Sequence, residues 1–150
     1  MLSHYLKLAC AALLGTAVVM PLPAYAAPLI TAEEAALPPQ KGAVPNTGRG
    51  ITRGPKIQVP AETAAQASPI RFQVKFQTFG GSSIDLHALK VTYLKSPVVD
   101  LTPRIKPFAQ ATGIDMPDAQ LPPGEHLVRV DVKDSEGRTA STSFLLKIAP

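Results

Sequence analysis

The sequence predicts an all-β fold in which two antiparallel sheets form a sandwich of about seven strands, with one or two single-turn helices. Three observations support this prediction. Apolar and polar residues alternate along several short segments, the intervening segments are rich in Pro, Gly, Asp and Ser, and the helical patterns cover single turns only. Such a chain buries one face of each strand and leaves the other face in water.

The first 26 residues have the layout of a cleavable secretory signal peptide. Lys7 precedes an apolar stretch that ends near Met20, and the small-residue site Ala24-Tyr25-Ala26 predicts cleavage before Ala27. The apolar stretch is shorter than the roughly 20 residues that span a bilayer, which disfavours a permanent membrane anchor. We therefore expect an exported protein, located in the periplasm or, alternatively, outside the cell.

Removal of 26 residues leaves 124, the size of one domain. Its formal charge is +3, from 14 basic and 11 acidic residues, and the two signs alternate along the chain, which disfavours nucleic-acid binding. Cys10, the only cysteine, would leave with the signal peptide, so we expect neither a disulfide nor thiol chemistry. Lipidation at Cys10 is disfavoured, because Lys7 occupies a position where a lipoprotein site requires an apolar residue.

Residues 27–54 are rich in Pro, Ala and Gly and offer few apolar side chains, so they predict a flexible tether. Thr31 and Glu34 have the spacing of a capping box and predict one fraying helical turn. The folded domain is expected over residues 55–150. Its first element is an edge strand in residues 56–59, which lie between two prolines.

The strongest strand pattern is Ile70–Gln77, where every even-numbered residue is large and apolar and every odd-numbered residue is charged or carries an amide. The turn sequence of residues 134–137 joins two further strands into a hairpin. Asp85 and Thr102 are candidate caps for two single helical turns. Strands are also predicted over residues 89–94, 98–101, 125–133 and 139–148.

The connection between Ser96 and Gly113 is long for a strand connection, and it supplies the candidate binding residues. It combines a hydroxyl, two cations and an aromatic ring. The alternative is that this connection only crosses between the sheets and covers the core with apolar side chains. The candidate binding residues are Thr102, Arg104, Lys106 and Phe108.

The end of the chain resembles the closing hairpin of bacterial immunoglobulin-like and fibronectin-type-III-like modules of envelope proteins. Residues 121–126 read Leu-Pro-Pro-Gly-Glu-His, valines alternate over residues 128–132, and an Asp-Ser-Glu-Gly turn follows at residues 134–137. The resemblance covers about residues 55–150 and implies an immunoglobulin-like sandwich. It implies no activity, because one fold carries many functions.

The two histidines of the mature chain, His87 and His126, fall short of the three or four ligands that a zinc site takes. His126 shares the strand phase of Val128 and Val130, which predicts a packed histidine at the end of the core. His87 follows the candidate cap Asp85, which predicts surface exposure or a local hydrogen bond.

Other sequence patterns that could indicate catalysis, phosphate binding or metal binding are incomplete. The loop at residues 80–83 lacks both a Gly-x-Ser-x-Gly motif and the lysine of a P-loop. Asp131, Asp134 and Glu136 offer oxygen ligands for calcium, but their spacing matches no EF-hand. Periplasmic copper carriers share this kind of fold, yet the predicted mature end has no histidine, and Met116 is the only methionine after the signal.

The sequence therefore predicts an exported, non-enzymatic binding or adaptor module of the cell envelope, without a cofactor, catalytic residues or a metal site. It would bind another envelope protein through a loop end or an edge strand. The alternative is a structural spacer or an accessory subunit of an envelope complex. A calcium- or copper-binding protein and an enzyme are less favoured. The oligomeric state is left open.

Overall fold

A computed structural model describes residues 28–46, 53–60 and 64–150. The predicted signal peptide, residues 1–26, lies outside the described residues. Within them the chain forms eight strands in two antiparallel four-stranded sheets, so the all-β prediction is confirmed with one strand more than the expected seven. The strands are β1 (Lys56–Gln58), β2 (Ile70–Gln77), β3 (Lys90–Tyr93), β4 (Val99–Asp100), β5 (Ala109–Gln110), β6 (Gly113–Ala119), β7 (Gly124–Lys133) and β8 (Thr139–Ile148).

One sheet has the order β1-β2-β6-β5, and the other has the order β4-β3-β7-β8. The predicted closing hairpin is present, because β7 and β8 pair along their whole length, from Gly124 opposite Ile148 to Lys133 opposite Thr139. The predicted first edge strand, β1, pairs with β2. Two strands, β5 and β6, had no counterpart in the sequence prediction.

The two sheets share one hydrophobic core. Side chains from both sheets are buried in a single cluster, and the rings of Phe72 on β2 and Phe144 on β8 stack with their centroids 6.1 Å apart. The alternation predicted for β2 is observed, since its four apolar residues are buried and Arg71, Lys75 and Gln77 are exposed. Burial of large apolar side chains on one face of the longer strands is what holds the sheets together.

Three short helical elements accompany the strands. They are α1 (Ala32–Ala36), α2 (Thr102–Ile105) and a 3₁₀ turn (Lys106–Phe108). The predicted capping box of α1 is present, with the Thr31 hydroxyl accepting from the Glu34 N–H at 3.2 Å and the Glu34 carboxylate accepting from the Thr31 N–H at 2.9 Å.

Two local predictions are wrong in detail. Thr102 is the first residue of α2 and does not cap it, because its hydroxyl is bonded to β3. Residues 84–88 form a turn and not a helix. In that turn the Asp85 carboxylate accepts the N–H of His87 at 2.9 Å, and the Asp85 carbonyl accepts the N–H of Ala88 at 3.2 Å.

Residues 28–46 differ from the predicted flexible tether. Leu29 and Ile30 lie in the hydrophobic core, at 0% and 2% exposure, and both backbone N–H groups donate to the Gln120 carbonyl. Further along, Asn46 exchanges two backbone hydrogen bonds with Ser143 on β8. Ordering this segment costs conformational entropy, and its composition suggested too few apolar side chains to offset that cost. The burial of Leu29 and Ile30, together with these long-range hydrogen bonds, offsets it. Residues 47–52 lie outside the described residues.

Candidate binding surface

Two of the four predicted binding residues are engaged inside the fold. The Thr102 hydroxyl accepts from the Val91 N–H at 2.9 Å and donates to the Val91 carbonyl, which fixes α2 to β3. The Arg104 guanidinium binds both carboxylate oxygens of Glu34, at 2.7 and 2.8 Å, and donates to the Leu29 carbonyl at 2.9 Å. Both side chains therefore hold the structure together, and replacing Arg104 would also loosen the N-terminal segment.

The other two predicted residues lie nearer the surface. Lys106 is exposed, and Phe108 is half-buried against the core. Phe108 and Gln110 line a groove of about 270 Å³ beside the edge strand β5, together with Lys75 on β2. The groove lies at a sheet edge, and an edge strand is one of the two kinds of binding surface predicted, although β5 itself was not.

A second surface is formed by two loops at the end of the sheets where β2 finishes. They are the β2–β3 connection, residues 78–89, and the β7–β8 turn, residues 134–138, and we call this surface the distal loop end. Backbone hydrogen bonds join the two loops, from the Ser135 N–H to the Ser83 carbonyl and from the Asp85 N–H to the Lys133 carbonyl, each at 2.8 Å. The two loops therefore form one continuous surface.

Asp134 is the buried centre of the distal loop end. Its side chain is fully buried, and its carboxylate accepts from the Glu136 N–H at 3.0 Å and from the Arg138 N–H and Nε at 2.8 and 2.7 Å. Burial acts to raise the pKa of Asp134, but the hydrogen bonds and positive charge of Arg138, with the Glu136 N–H, outweigh burial and lower the pKa. Asp134 thus stays ionised and fixes the turn.

Arg138 extends this anchoring to the neighbouring loop. One of its terminal nitrogens donates to the Phe79 carbonyl at 3.2 Å and to the Ser82 hydroxyl at 3.1 Å. The Ser82 hydroxyl in turn donates to the Phe79 carbonyl at 2.9 Å. The loop backbone is therefore fixed, whereas the side chain of Phe79 remains 45% exposed.

Beside this loop lies a shallow polar groove of about 630 Å³. His87 is exposed on its wall, and the carboxylate of Asp85 is engaged with the His87 N–H, so the prediction of an exposed or locally bonded His87 is confirmed. The groove offers an amine, an imidazole and hydroxyl groups. The side chains that provide these polar groups are Ser83, Asp85, His87, Lys133 and Ser135.

The carboxylates of the three acidic residues considered for calcium are each bonded to other side chains of the protein. Asp131 accepts from Arg129 at 3.0 Å and from the Ser141 hydroxyl at 2.6 Å, whereas Asp134 and Glu136 both bind Arg138. In the described ranges, no group of three or more His, Cys, Asp or Glu side chains is placed to hold a metal ion.

The prediction that His126 is packed at the end of the core is confirmed. The side chain is 2% exposed, with its ring 5.7 Å from that of Tyr93. His126 is therefore distant from solvent and forms no part of the distal loop end.

Comparison with known proteins found no matching family model, no matching curated protein and no matching solved structure. None of the helices in residues 28–46, 53–60 and 64–150 is long and apolar enough to cross a membrane.

Sequence reasoning did not identify Phe79 or Arg138. The sequence did contain a signal for Phe79. This large aromatic residue lies directly before Gly80-Gly81 and outside the alternating pattern of the strand, so the pattern gives no reason to expect it to be buried. For Arg138 only the local partners Asp134 and Glu136 could be seen in the sequence, whereas the Phe79 carbonyl that it also binds lies 59 residues away.

Proposed function

We propose that this protein is an exported, non-enzymatic binding module of the cell envelope with an immunoglobulin-like fold. It captures another envelope protein through the distal loop end, with the Phe79 ring as its central contact. Export to the periplasm is supported by the signal-peptide pattern of the first 26 residues. The long alternating hairpin of β7 and β8 supports the immunoglobulin-like arrangement.

The observation that carries this proposal is an exposed aromatic side chain on a fixed backbone. Aromatic residues dominate the binding energy of many interfaces, and a contact that is already ordered before binding loses little conformational entropy. Phe79 meets both conditions, since its ring is 45% exposed and its carbonyl is bonded to Arg138 and Ser82. The polar groove of the same distal loop end supplies further groups that can hydrogen-bond to a partner.

The chain contains a matched control for this contact. Val98 is a large apolar residue of similar exposure, 50%, and it lies beside β4 at the opposite end of the sheets. Phe79→Ser and Val98→Ser therefore remove comparable exposed apolar surface, but only the first removes it from the distal loop end.

The experiment is capture of the tagged, exported protein with chemical crosslinking in cells, followed by mass spectrometry. We expect one dominant envelope partner with wild type and with Val98→Ser, and at least about a tenfold reduction with Phe79→Ser, as for an interface hot spot. Equal capture by Phe79→Ser and wild type would contradict the proposal.

Two other outcomes separate the alternatives. Loss of capture in a Lys106→Ala/Phe108→Ser variant, with normal capture by Phe79→Ser, would place the contact in the groove beside β5. Crosslinks between copies of this chain alone would favour a structural spacer or accessory subunit.

A further inference from the structure

The segment directly after the predicted signal peptide is fastened to the domain by polar contacts as well as by burial. We call residues 28–37 the N-terminal clamp. Arg104 on α2 binds the clamp twice, through the Glu34 carboxylate and the Leu29 carbonyl. Lys95 binds it at α1, where its Nζ donates to the Ala35 and Leu37 carbonyls, both at 2.9 Å. A cation at a helix C-terminus satisfies carbonyls that have no partner within the helix.

Lys95 also connects the clamp to a buried pair of polar side chains. Its Nζ lies 5.2 Å from the centroid of the Tyr93 ring, and the Tyr93 hydroxyl is 2.9 Å from Nδ1 of His126. On the other side of the imidazole, Nε2 is 2.7 Å from the Pro122 carbonyl. A chain of direct contacts therefore runs from His126 through Tyr93 and Lys95 to the clamp.

These contacts match the hydrogen bonds of a neutral His126. A carbonyl only accepts hydrogen bonds, so Nε2 must carry a proton and donate to Pro122. In the neutral ring Nδ1 is then an acceptor, and it receives the Tyr93 hydroxyl. Burial raises the pKa of Tyr93 to about 12, so the phenol keeps its proton and remains a donor.

We propose that the N-terminal clamp is an acid-sensitive element that is closed when His126 is neutral and opens when His126 gains a second proton. The added proton makes Nδ1 a donor, so the Tyr93 O–H can no longer donate to it; the phenol oxygen must accept instead, and its hydrogen must turn away from the imidazole into the buried surroundings. The new charge also lies near the positive charge of Lys95, whereas the Glu34 carboxylate is already bonded to Arg104. The clamp is the part that yields, because Lys95, which the new charge repels, holds it through the Ala35 and Leu37 carbonyls.

The surroundings of His126 favour its neutral form. Burial, followed by the positive charge of Lys95, lowers the pKa of His126 against the opposing hydrogen bond to Pro122. When the clamp opens, water reaches the imidazole and its pKa returns towards 6.5. The open state therefore binds more protons, and closure weakens as the pH falls below about 6.5.

Glu34 titrates in a separate range. Its hydrogen bonds from Arg104 outweigh the effect of burial and lower its pKa below 4.5, so it stays ionised where His126 titrates. On the neighbouring strand, β8, the residue opposite His126 is the apolar Leu146. His126 is therefore the group whose titration opens the clamp as the pH falls below about 6.5.

The test is amide hydrogen exchange of the mature chain followed by NMR at pH 7.5 and pH 5, corrected for the intrinsic exchange rate. We expect protection of the Leu29 and Ile30 amides to fall at least about tenfold at pH 5, while the β7–β8 amides keep their protection. His87→Gln, which removes the exposed histidine, should behave as wild type. Equal protection of Leu29 and Ile30 at the two pH values would overturn the proposal, and so would an equal loss in β7 and β8.

A His126→Gln variant removes the titration, because its amide can donate to Pro122 but gains no proton. We expect its clamp protection to be independent of pH over this range. If this variant does not fold, a wild-type NMR titration decides the matter. The His126 ring and Leu29 methyl signals should then shift with one common midpoint, and separate midpoints would contradict the proposal.

Discussion

Gly113 is the residue at which the backbone leaves least room for a side chain. It begins β6 with φ +153°, and a Cβ atom there would collide with the Val74 carbonyl oxygen on β2. Glycine is therefore required for two reasons, an unusual backbone conformation and the close approach of a neighbouring strand.

We predict that Gly113→Ala lowers the free energy of unfolding by about 2–4 kcal/mol, from backbone strain and displacement of β2. Gly124→Ala is the matched control, because Gly124 also has a positive φ of 128° but has open space around it. Its cost should be smaller, about 1–2 kcal/mol, because it comes from backbone strain alone. Urea denaturation of both variants measures the difference, and equal losses would show that the close approach to Val74 is unimportant.

At the scale of elements, β2, β7 and β8 were predictable because each buries one face and therefore alternates strictly in sequence. β6 was missed because its pattern is interrupted. Ile114 and Met116 are buried, but the next buried residue is Ala119, and the pairing with β2 shifts register between Ile70 and Phe72. A β-bulge changes the strand phase, so alternation alone does not reveal such a strand.

The N-terminal clamp was unpredictable for another reason. Only Thr31 and Glu34 gave a local signal, and it described the helical turn correctly. The contacts that order the segment join residues 58 or more positions apart, such as Lys95 with Leu37 and Leu29 with Gln120. Local composition carries no information about these partners, and it indicates a tether instead.

We predict that Leu29→Ala lowers the free energy of unfolding by about 2–5 kcal/mol, as expected for a fully buried leucine. Val44→Ala tests the same N-terminal segment at a side chain that is 66% exposed, and it should change stability by less than about 0.5 kcal/mol. Thermal and urea unfolding of the mature chain give both values. A neutral Leu29→Ala would mean that residues 28–37 are a tether after all.

At the scale of the whole molecule, the clamp and the distal loop end lie at opposite ends of β2. Ile70 at its start pairs with Ala119, next to the Gln120 that holds the clamp, whereas Phe79 follows Gln77 at its finish. Eight strand residues separate the two ends by roughly 25 Å. The candidate site could be anticipated only as a loop end or edge strand, since the choice between ends depends on long-range contacts such as that of Arg138.

This separation predicts that the two ends act independently. His126→Gln should abolish the pH dependence of the clamp without changing partner capture through Phe79, and Phe79→Ser should leave the exchange of the Leu29 and Ile30 amides unchanged. Measuring both partner capture and amide exchange for His126→Gln and for Phe79→Ser tests this independence. Reduced capture by a folded His126→Gln would indicate that the clamp and the distal loop end are coupled.

The most direct test of the central claim is site-specific photocrosslinking in living cells, with the crosslinking amino acid placed at residue 79 and, as the control, at residue 98. Binding through the distal loop end predicts one discrete adduct with an envelope protein from residue 79 and none from residue 98. An adduct from residue 98 alone, or identical adducts from both positions, would contradict the assignment of the binding surface.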